Sequence, residues 1–388
     1  VNYAADRALG LVVASGYLVL PLRAAAGAGL LDDIDALPTG AATADTLNPI
    51  LAAGRRAWTG LHSRVGAILG GHDHDELLVD AGELALRLPF DVADYVDFYS
   101  SVHHATNLGR LLRPGTEPLL PNWRHLPVGY HGRAGTIVVS GTPVRRPRGL
   151  VAVGDGHPEY RPTARLDIEL EVGVVVGGHS ALGEPVPIDE AGEHIFGLVV
   201  LNDWSARDIQ AYEYQPLGPH LGKSFATSIS AWVTPIDDLR PFLRPGPDQD
   251  PPPSVHLRTG QPWAVDLDLR VLLESRSMRE QGLPPVQVSS TNFADLYWTI
   301  AQQLAHMTAN GASLRPGDLY GSGTVSGPTR GTEGSFIELS WGGETPLELP
   351  DGDVRTFLED GDRVILEGSA GRAVRLGPVE GEILPAAG

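Results

Sequence analysis

"QPLGPHLGKSFATSIS", residues 215–230, holds Lys223, the chain's only lysine among 29 Lys plus Arg. The reading of Gly222-Lys223-Ser224 decides the fold. A phosphate-binding P-loop has the spacing G-x-x-x-x-G-K-[ST] and joins a strand to a helix in an α/β sheet. Here the preceding glycine, Gly218, is one residue too close, and Leu217 stands at the required position. Pro216 and Pro219 remove two backbone donors. The run that follows, 225–235, is rich in Thr, Ser, Ile, Val and Trp and predicts a strand rather than a helix. The nucleotide-binding reading fails, and the lysine needs another explanation. Lysine persists under such an arginine bias either by chance or where a compact three-donor ammonium does what a planar guanidinium does not.

Outward from this stretch, the chain from about residue 90 is a series of Gly- and Pro-punctuated apolar runs. They include "GTIVVSG", "LDIELEVGVVVG", "HIFGLVVLND", "AVDLDLRVLLES", "SFIELSW" and "DRVILEG", all read as strands. Helices are expected near 205–213 and over 291–311, the latter capped by Thr291 or Asn292 and stopped by Gly311. "LRPGPDQDPPPS" (243–254) reads as a surface loop. Before residue 90, "GLVVASGYLVLPL" (10–22) reads as a hairpin. One helix is expected over 46–70, from Leu51, Trp58, Leu61 and Val65 at helical spacing. Many strands with few helices between them predict an α+β, mostly β architecture, divided at 1–89 and 90–388.

Composition narrows the function. With 388 residues and 42% hydrophobic content a sizeable core is available, and no apolar run approaches the ~20 residues of a membrane span. No basic region with a cleavage site suggests a signal peptide. The absence of cysteine excludes disulfides, thiolate chemistry and cysteine-bound zinc, and fits a cytoplasmic protein. A net charge of −19 argues against nucleic acid and anionic membrane as partners.

Five stretches carry chemistry. Glu169 and Glu171 alternate with Ile168, Leu170, Val172 and Val174, so both carboxylates share one strand face. They either hold a hard divalent cation, Mg²⁺ or Ca²⁺ with Mn²⁺ as a further option, or face solvent. In "LNDWSARDIQAYEYQPLG", Ser205 and Asp208 suggest a capping box, and Arg207, Gln210 and Tyr214 fall on one helical face behind Asp203. That face is either a polar pocket wall, with Trp204 and Tyr212 beside it, or a surface Asp203–Arg207 pair. "VDFYSSVHHATNLGRLLRPG" (96–115) supplies Asp97, Tyr99, His103, His104 and Arg113, with one histidine a candidate general base. "RPGDLYGSGTVSGP" (315–328) offers backbone donors and Thr324, and Glu338 is an isolated acid in an apolar run. "GGHDHDELL" (70–78) has no common metal spacing and reads as an acidic surface loop.

Together, "DFYSS..HAT", "PNWRHLPVGYHGRAGTIVVSGTPVRRP", "LDIELE", "NDWSARDIQ" through "GKSF", and "LRPGDLYGSGTVSGP" resemble the fumarylacetoacetase family from about residue 46 onward. The resemblance implies an SH3-like N-terminal barrel, a mixed β-roll catalytic domain and a homodimer. It implies hydrolysis of a diketo-dicarboxylate, fumarylacetoacetate, to fumarate and acetoacetate, the last step of tyrosine and phenylalanine degradation. Asp97, Glu169, Glu171 and Asp203 match divalent-metal ligands, and Lys223 with Thr227 resembles part of a second cation site. His104 matches the general base and Glu338 the acid that orients it. Arg207, Gln210 and Lys223 match oxyanion donors. Tyr99, Arg113, Tyr130, Gln210, Tyr214 and Thr324 match substrate contacts. His103 departs from the family pattern beside the base. Alternatives are an acylpyruvate-type hydrolase of the same superfamily, or a non-catalytic metal or small-molecule binding protein.

Overall fold

A computed structural model describes residues 1–71, 73–154 and 157–388. Its centre is an eight-stranded mixed sheet. Seven strands follow in the order Gly129–His131, Tyr95–Phe98, Leu319–Gly321, Leu170–Val176, Ile195–Asn202, Thr227–Ile229 and Ile137–Val139, and Thr234–Pro235 pairs with Ile195–Asn202 off that path. The middle strand, LEVGVVV, is buried along its whole length. Its β-branched valines suit a pleated surface covered on both sides.

Alternation along these strands separates two cores. Leu170, Val172, Val174, Leu198, Val200 and Tyr320 pack toward a second, five-stranded sheet that includes Asp268–Glu274, Arg363–Ala370 and Val374–Leu384. Tyr95, Val175, Val199, Leu201, Ile229 and Leu319 pack the other way, against N-terminal residues. Those come from a five-stranded antiparallel sheet, in which Asn2–Asp6, Gly10–Ser15 and Leu18–Pro21 are consecutive, and from the helix Arg55–Gly71. Trp58 stands edge-on to Phe196 at 5.3 Å, and its indole N–H donates to the Ile50 carbonyl at 2.7 Å. The hairpin at 10–22 is present. Asp97, Glu171, Gly321 and Thr227 have the parity of this second face, so the surface that is apolar beneath the N-terminal residues becomes polar at its far end.

Five local expectations are corrected. The helix over 46–70 is two helices, Asn48–Ala52 and Arg55–Gly71, because Gly54 takes a left-handed conformation, φ 82°. The helix expected from 291 begins at Ile300, where Thr299 and Gln302 form a capping box. Residues up to Asn292 are strand, and Asn292 caps only a short 3₁₀ turn, Phe293–Asp295. Ser205 and Asp208 make no capping box. The Ser205 hydroxyl donates to the Asp203 carbonyl, and Asp208 accepts from Thr163 and from the Ala164 N–H. "SFIELSW" contains a helical turn, Phe336–Leu339, whose first N–H groups donate to the Asp167 carboxylate at 2.6 and 3.0 Å. Glu169 lies just before the strand Leu170–Val176, not inside it. In the acidic stretch 70–78, His72 lies outside the described residues, and Asp73, Asp75 and Glu76 are exposed.

Candidate active site

The site is built where adjacent strands of the central sheet end. Gly321 lies opposite Asp97 on one side and Gly173 on the other, which sets Asp97 and Glu171 on strands flanking a glycine. A Cβ at Gly321 would come within 2.6 Å of Glu171 Oε2 and 2.7 Å of the Tyr95 hydroxyl, so any side chain there would have to displace one of them. Asp203 follows the strand Ile195–Asn202 directly. One oxygen from each of Asp97, Glu171 and Asp203 lies within 4.8 Å of the others. All three carboxylates are buried.

Three cations face these and the neighbouring Asp167 and Glu169. Lys223 Nζ donates to Asp203 Oδ2 at 2.7 Å and to Glu169. Arg207 Nε donates to Asp167 at 2.8 Å, and its Nη1 to Glu169 at 2.7 Å and to Gln210 at 3.2 Å. Arg133 Nη2 bridges Asp97 at 2.8 Å and Asp203 at 2.5 Å. Asp203 is completed by the Thr227 hydroxyl at 3.0 Å. The alternative of a surface Asp203–Arg207 pair is therefore replaced by a buried network in which each has other partners.

Charge in this network is unbalanced. Burial is the largest influence on every carboxylate, but Arg133 and Lys223 outweigh it at Asp203, and Lys223 and Arg207 outweigh it at Glu169. Both stay below their ordinary range. Burial and then Asp203 push Asp97 up to about 6, despite Arg133 and Lys223. Glu171 is driven well above its ordinary value by burial, then by Asp97, Asp203 and Glu169. It accepts one bond, from the Gly323 N–H at 3.0 Å, while its Oε1 is buried without a partner. Arg207 and Asp167 offset each other, which leaves four carboxylates facing Lys223 and Arg133. With all four ionised the residual charge would equal that of one divalent cation, and the orphaned Glu171 oxygen fits a ligand to such an ion. An all-oxygen set of this kind suits a hard ion.

Beside the carboxylates stands a histidine–acid pair. The helix Val102–Leu112 is capped by Ser101, whose hydroxyl accepts from the His104 N–H. This first turn places His104 Nδ1 2.6 Å from Glu338. Glu338 also accepts from Ser335 at 2.6 Å, Ser326 at 2.9 Å and Asn107 at 2.9 Å. Burial would raise its carboxyl, but His104 and then the hydroxyl and amide donors hold it down to about 2. A carboxylate fixed on Nδ1 leaves Nε2 free to take a proton, and that nitrogen lies 4.0 Å from Glu169, on the cluster side. His103 is half-buried, and desolvation lowers its pKa.

The remaining expected residues fall into two groups. Tyr99 packs edge-on to the His104 ring at 5.3 Å. Tyr130 Oη, Thr324 Oγ1, Arg113 Nε and Arg207 Nη2 are buried hydrogen-bonding atoms without a partner among the described residues. Gln210 is bound to Arg207, whereas Tyr214 sits farther out, accepting from Gln215 at 3.1 Å. The turn that delivers Lys223 is pinned by Glu213, which accepts from the His220 and Gly222 N–H groups at 2.7 Å. Gly222 is needed there because a Cβ would meet the Gln210 backbone at 2.9 Å. Sequence reasoning does not single out Arg133, Asp167, Asn107, Ser326 or Ser335. The signal for Arg133 is present in "GYHGRAG", where a glycine turn follows Tyr130.

Fold and site together define a class: a mostly β protein with a buried carboxylate cluster that could hold a divalent cation, beside a buried histidine–carboxylate pair. The family model for the fumarylacetoacetate (FAA) hydrolase C-terminal region matches residues 95–383. A fumarylacetoacetase of Rattus norvegicus is 46% identical over 354 residues, covering 88% of this chain and 84% of the relative. One of Arabidopsis thaliana is 44% identical over 386 residues, covering 96% and 90%. A crystal structure of maleylpyruvate hydrolase from Sphingobium sp. SYK-6 superposes with a TM-score of 0.53 at 16% identity, covering 100% of both chains, a likeness of fold. The chain belongs to the fumarylacetoacetate hydrolase family.

Proposed function

We propose that the chain is a hydrolase that cleaves the carbon–carbon bond of fumarylacetoacetate to give fumarate and acetoacetate, the closing step of tyrosine breakdown. The observation that carries this reading is the His104–Glu338 pair set against the carboxylate cluster, in a chain 46% identical to a fumarylacetoacetase over 88% of its length. Asp97, Glu171 and Asp203, with Glu169 beside them, would hold Mg²⁺ or Ca²⁺, with Mn²⁺ a further fit. The ion supplies Lewis acidity toward the oxygens of a 1,3-diketone.

The protein's own groups account for the remaining steps. Glu338 holds His104 with its Nδ1 proton inward, so Nε2 takes the proton of a water that attacks the carbonyl. Charge that develops on that oxygen is met by Arg207 Nη2, which has no protein partner, by Lys223 Nζ and by Gln210. As the tetrahedral centre collapses, the carbon–carbon bond breaks and its electron pair leaves on the acetoacetate fragment, to be protonated there. Tyr99, Arg113, Tyr130, Tyr214 and Thr324 would orient the substrate. The unpaired donors of Arg113, Tyr130 and Thr324 suit its carboxylates and carbonyls. Thr227 completes Asp203 and with Lys223 would border a second cation position. The same reading carries a homodimer, an SH3-like barrel over residues 1–89 followed by a catalytic domain over 90–388, and a cytoplasmic setting.

The test is the loss of near-ultraviolet diketone absorbance from fumarylacetoacetate, with added Mg²⁺ or Ca²⁺ and again after chelation. Fast, chelator-sensitive loss with stoichiometric fumarate is expected. A folded, metal-loaded chain that leaves the absorbance unchanged would sink the reading and turn attention to acylpyruvates.

A further inference from the structure

Arg133 occupies an unusual place. It is one of three non-glycine residues described with positive φ, at 58°, directly after Gly132. A left-handed arginine is a strained backbone position that persists when its surroundings over-determine it. They do so here. Its side chain is 6% exposed, and its guanidinium stacks between the rings of Tyr95 and Tyr130 at 5.1 and 5.2 Å. Nη2 bridges Asp97 Oδ2 and Asp203 Oδ2, while Nε and Nη1 are buried without partners.

Both carboxylates that Arg133 binds belong to the three whose oxygens converge. Lys223 differs, since its other partner is Glu169, outside that triad. Asp203 is heavily engaged: Oδ2 accepts from both Arg133 and Lys223, and Oδ1 accepts from Thr227 with one lone pair left. A cation entering between Asp97, Glu171 and Asp203 finds the Glu171 Oε1 open, but at Oδ2 of Asp97 and of Asp203 it must compete with Arg133 for lone pairs that are in use. The competitor whose two bonds both lie inside the triad is Arg133.

We propose that Arg133 is a resident cation of the carboxylate site. In the metal-free chain it stands in for part of the missing positive charge and keeps Asp97 and Asp203 together. When a divalent ion binds, it yields at least one of its two bonds, and so it lowers and sets the site's metal affinity. The tyrosine sandwich keeps the displaced guanidinium desolvated but cushioned by two ring faces. This inference rests on the reading of the triad as a divalent-cation site, and it makes Arg133 a positioning residue rather than a catalytic one.

Isothermal calorimetry of the chelator-stripped chain with Mg²⁺ and with Ca²⁺ tests it, for wild type and Arg133→Gln. Removing a buried positive charge a few ångströms from the ion should tighten binding about tenfold or more. The metal-free melting temperature should fall while the metal-loaded one changes less. Equal or weaker binding by a folded Arg133→Gln chain would show that Arg133 merely scaffolds the site, and would overturn the inference while leaving the metal reading intact. Absence of binding by the wild type would remove both together. Should Arg133→Gln fail to fold, wild-type crystals with and without bound ion decide. Loss of a bond from Nη2 to Asp97 or Asp203 is expected, and retention of both beside a bound ion overturns the inference.

Discussion

At the scale of single residues, two side chains concentrate the chemistry. Lys223 spends two of its three donors on Glu169 and Asp203 and is 3% exposed. A guanidinium there would bring a wider, planar fork into a buried place between Glu169 and Asp203 that the compact ammonium fills. Lys223→Arg should therefore lower kcat by about a hundredfold, the scale of a lost oxyanion donor, while circular dichroism stays native. Turnover near that of the wild type would remove Lys223 from the mechanism. Glu338 makes a prediction about pH. Its folded value of about 2 lies below the ordinary 4.5, so its contribution is fully present above about pH 4.5 and is lost as pH falls toward 2. The shift corresponds to about 3 kcal/mol. Urea midpoints across that window should fall less steeply in Glu338→Gln than in wild type, and parallel slopes would contradict the assignment.

At the scale of elements, the sheet's ability to bring acids together depends on a strand with almost no side chains at the right place. Gly321→Ala should fold but push Glu171 and Tyr95 apart. The expected cost is about 1–3 kcal/mol of stability and at least about a tenfold loss of divalent-ion affinity, read by thermal melts and calorimetry. Unchanged affinity would show that Glu171 is not a ligand. Elements also mark how far the sequence is legible. The strand Leu170–Val176 is readable because alternation and β-branching agree over its length, and Glu171 follows from the same period, whereas Glu169 lies just outside the strand. Glu338 reads as strand because "SFIELSW" is short and apolar. It is helical because a carboxylate 169 residues away from Phe336, that of Asp167, accepts the first two N–H groups, a contact that no local pattern encodes. The same holds for Arg207, whose partners Asp167 and Glu169 become neighbours only through the pairing of Leu166–Asp167 with Ser205–Ala206. Arg133 escapes a sequence reading for a different reason. Its role depends on a left-handed turn and two ring faces, not on spacing.

At the scale of the whole molecule, the central sheet is shared property. Its second face packs against N-terminal residues at one end and carries the carboxylates at the other, so the two halves of the chain should not melt apart. A Gly177 Cβ would lie 2.2 Å from the Trp58 ring, which shows how closely the helix sits on the sheet. Trp58→Ala should cost about 3–5 kcal/mol, and scanning calorimetry should show one transition moved to lower temperature. Two separate transitions would mean that residues 1–89 unfold independently. The single buried lysine has a practical corollary. Every other basic side chain that is cationic at neutral pH is a guanidinium, so a folded chain presents no accessible side-chain amine to acylating reagents or aldehyde cross-linkers. Acylation of Lys223 would then act as a clock for opening of the site, slowed by whatever ligand holds it shut.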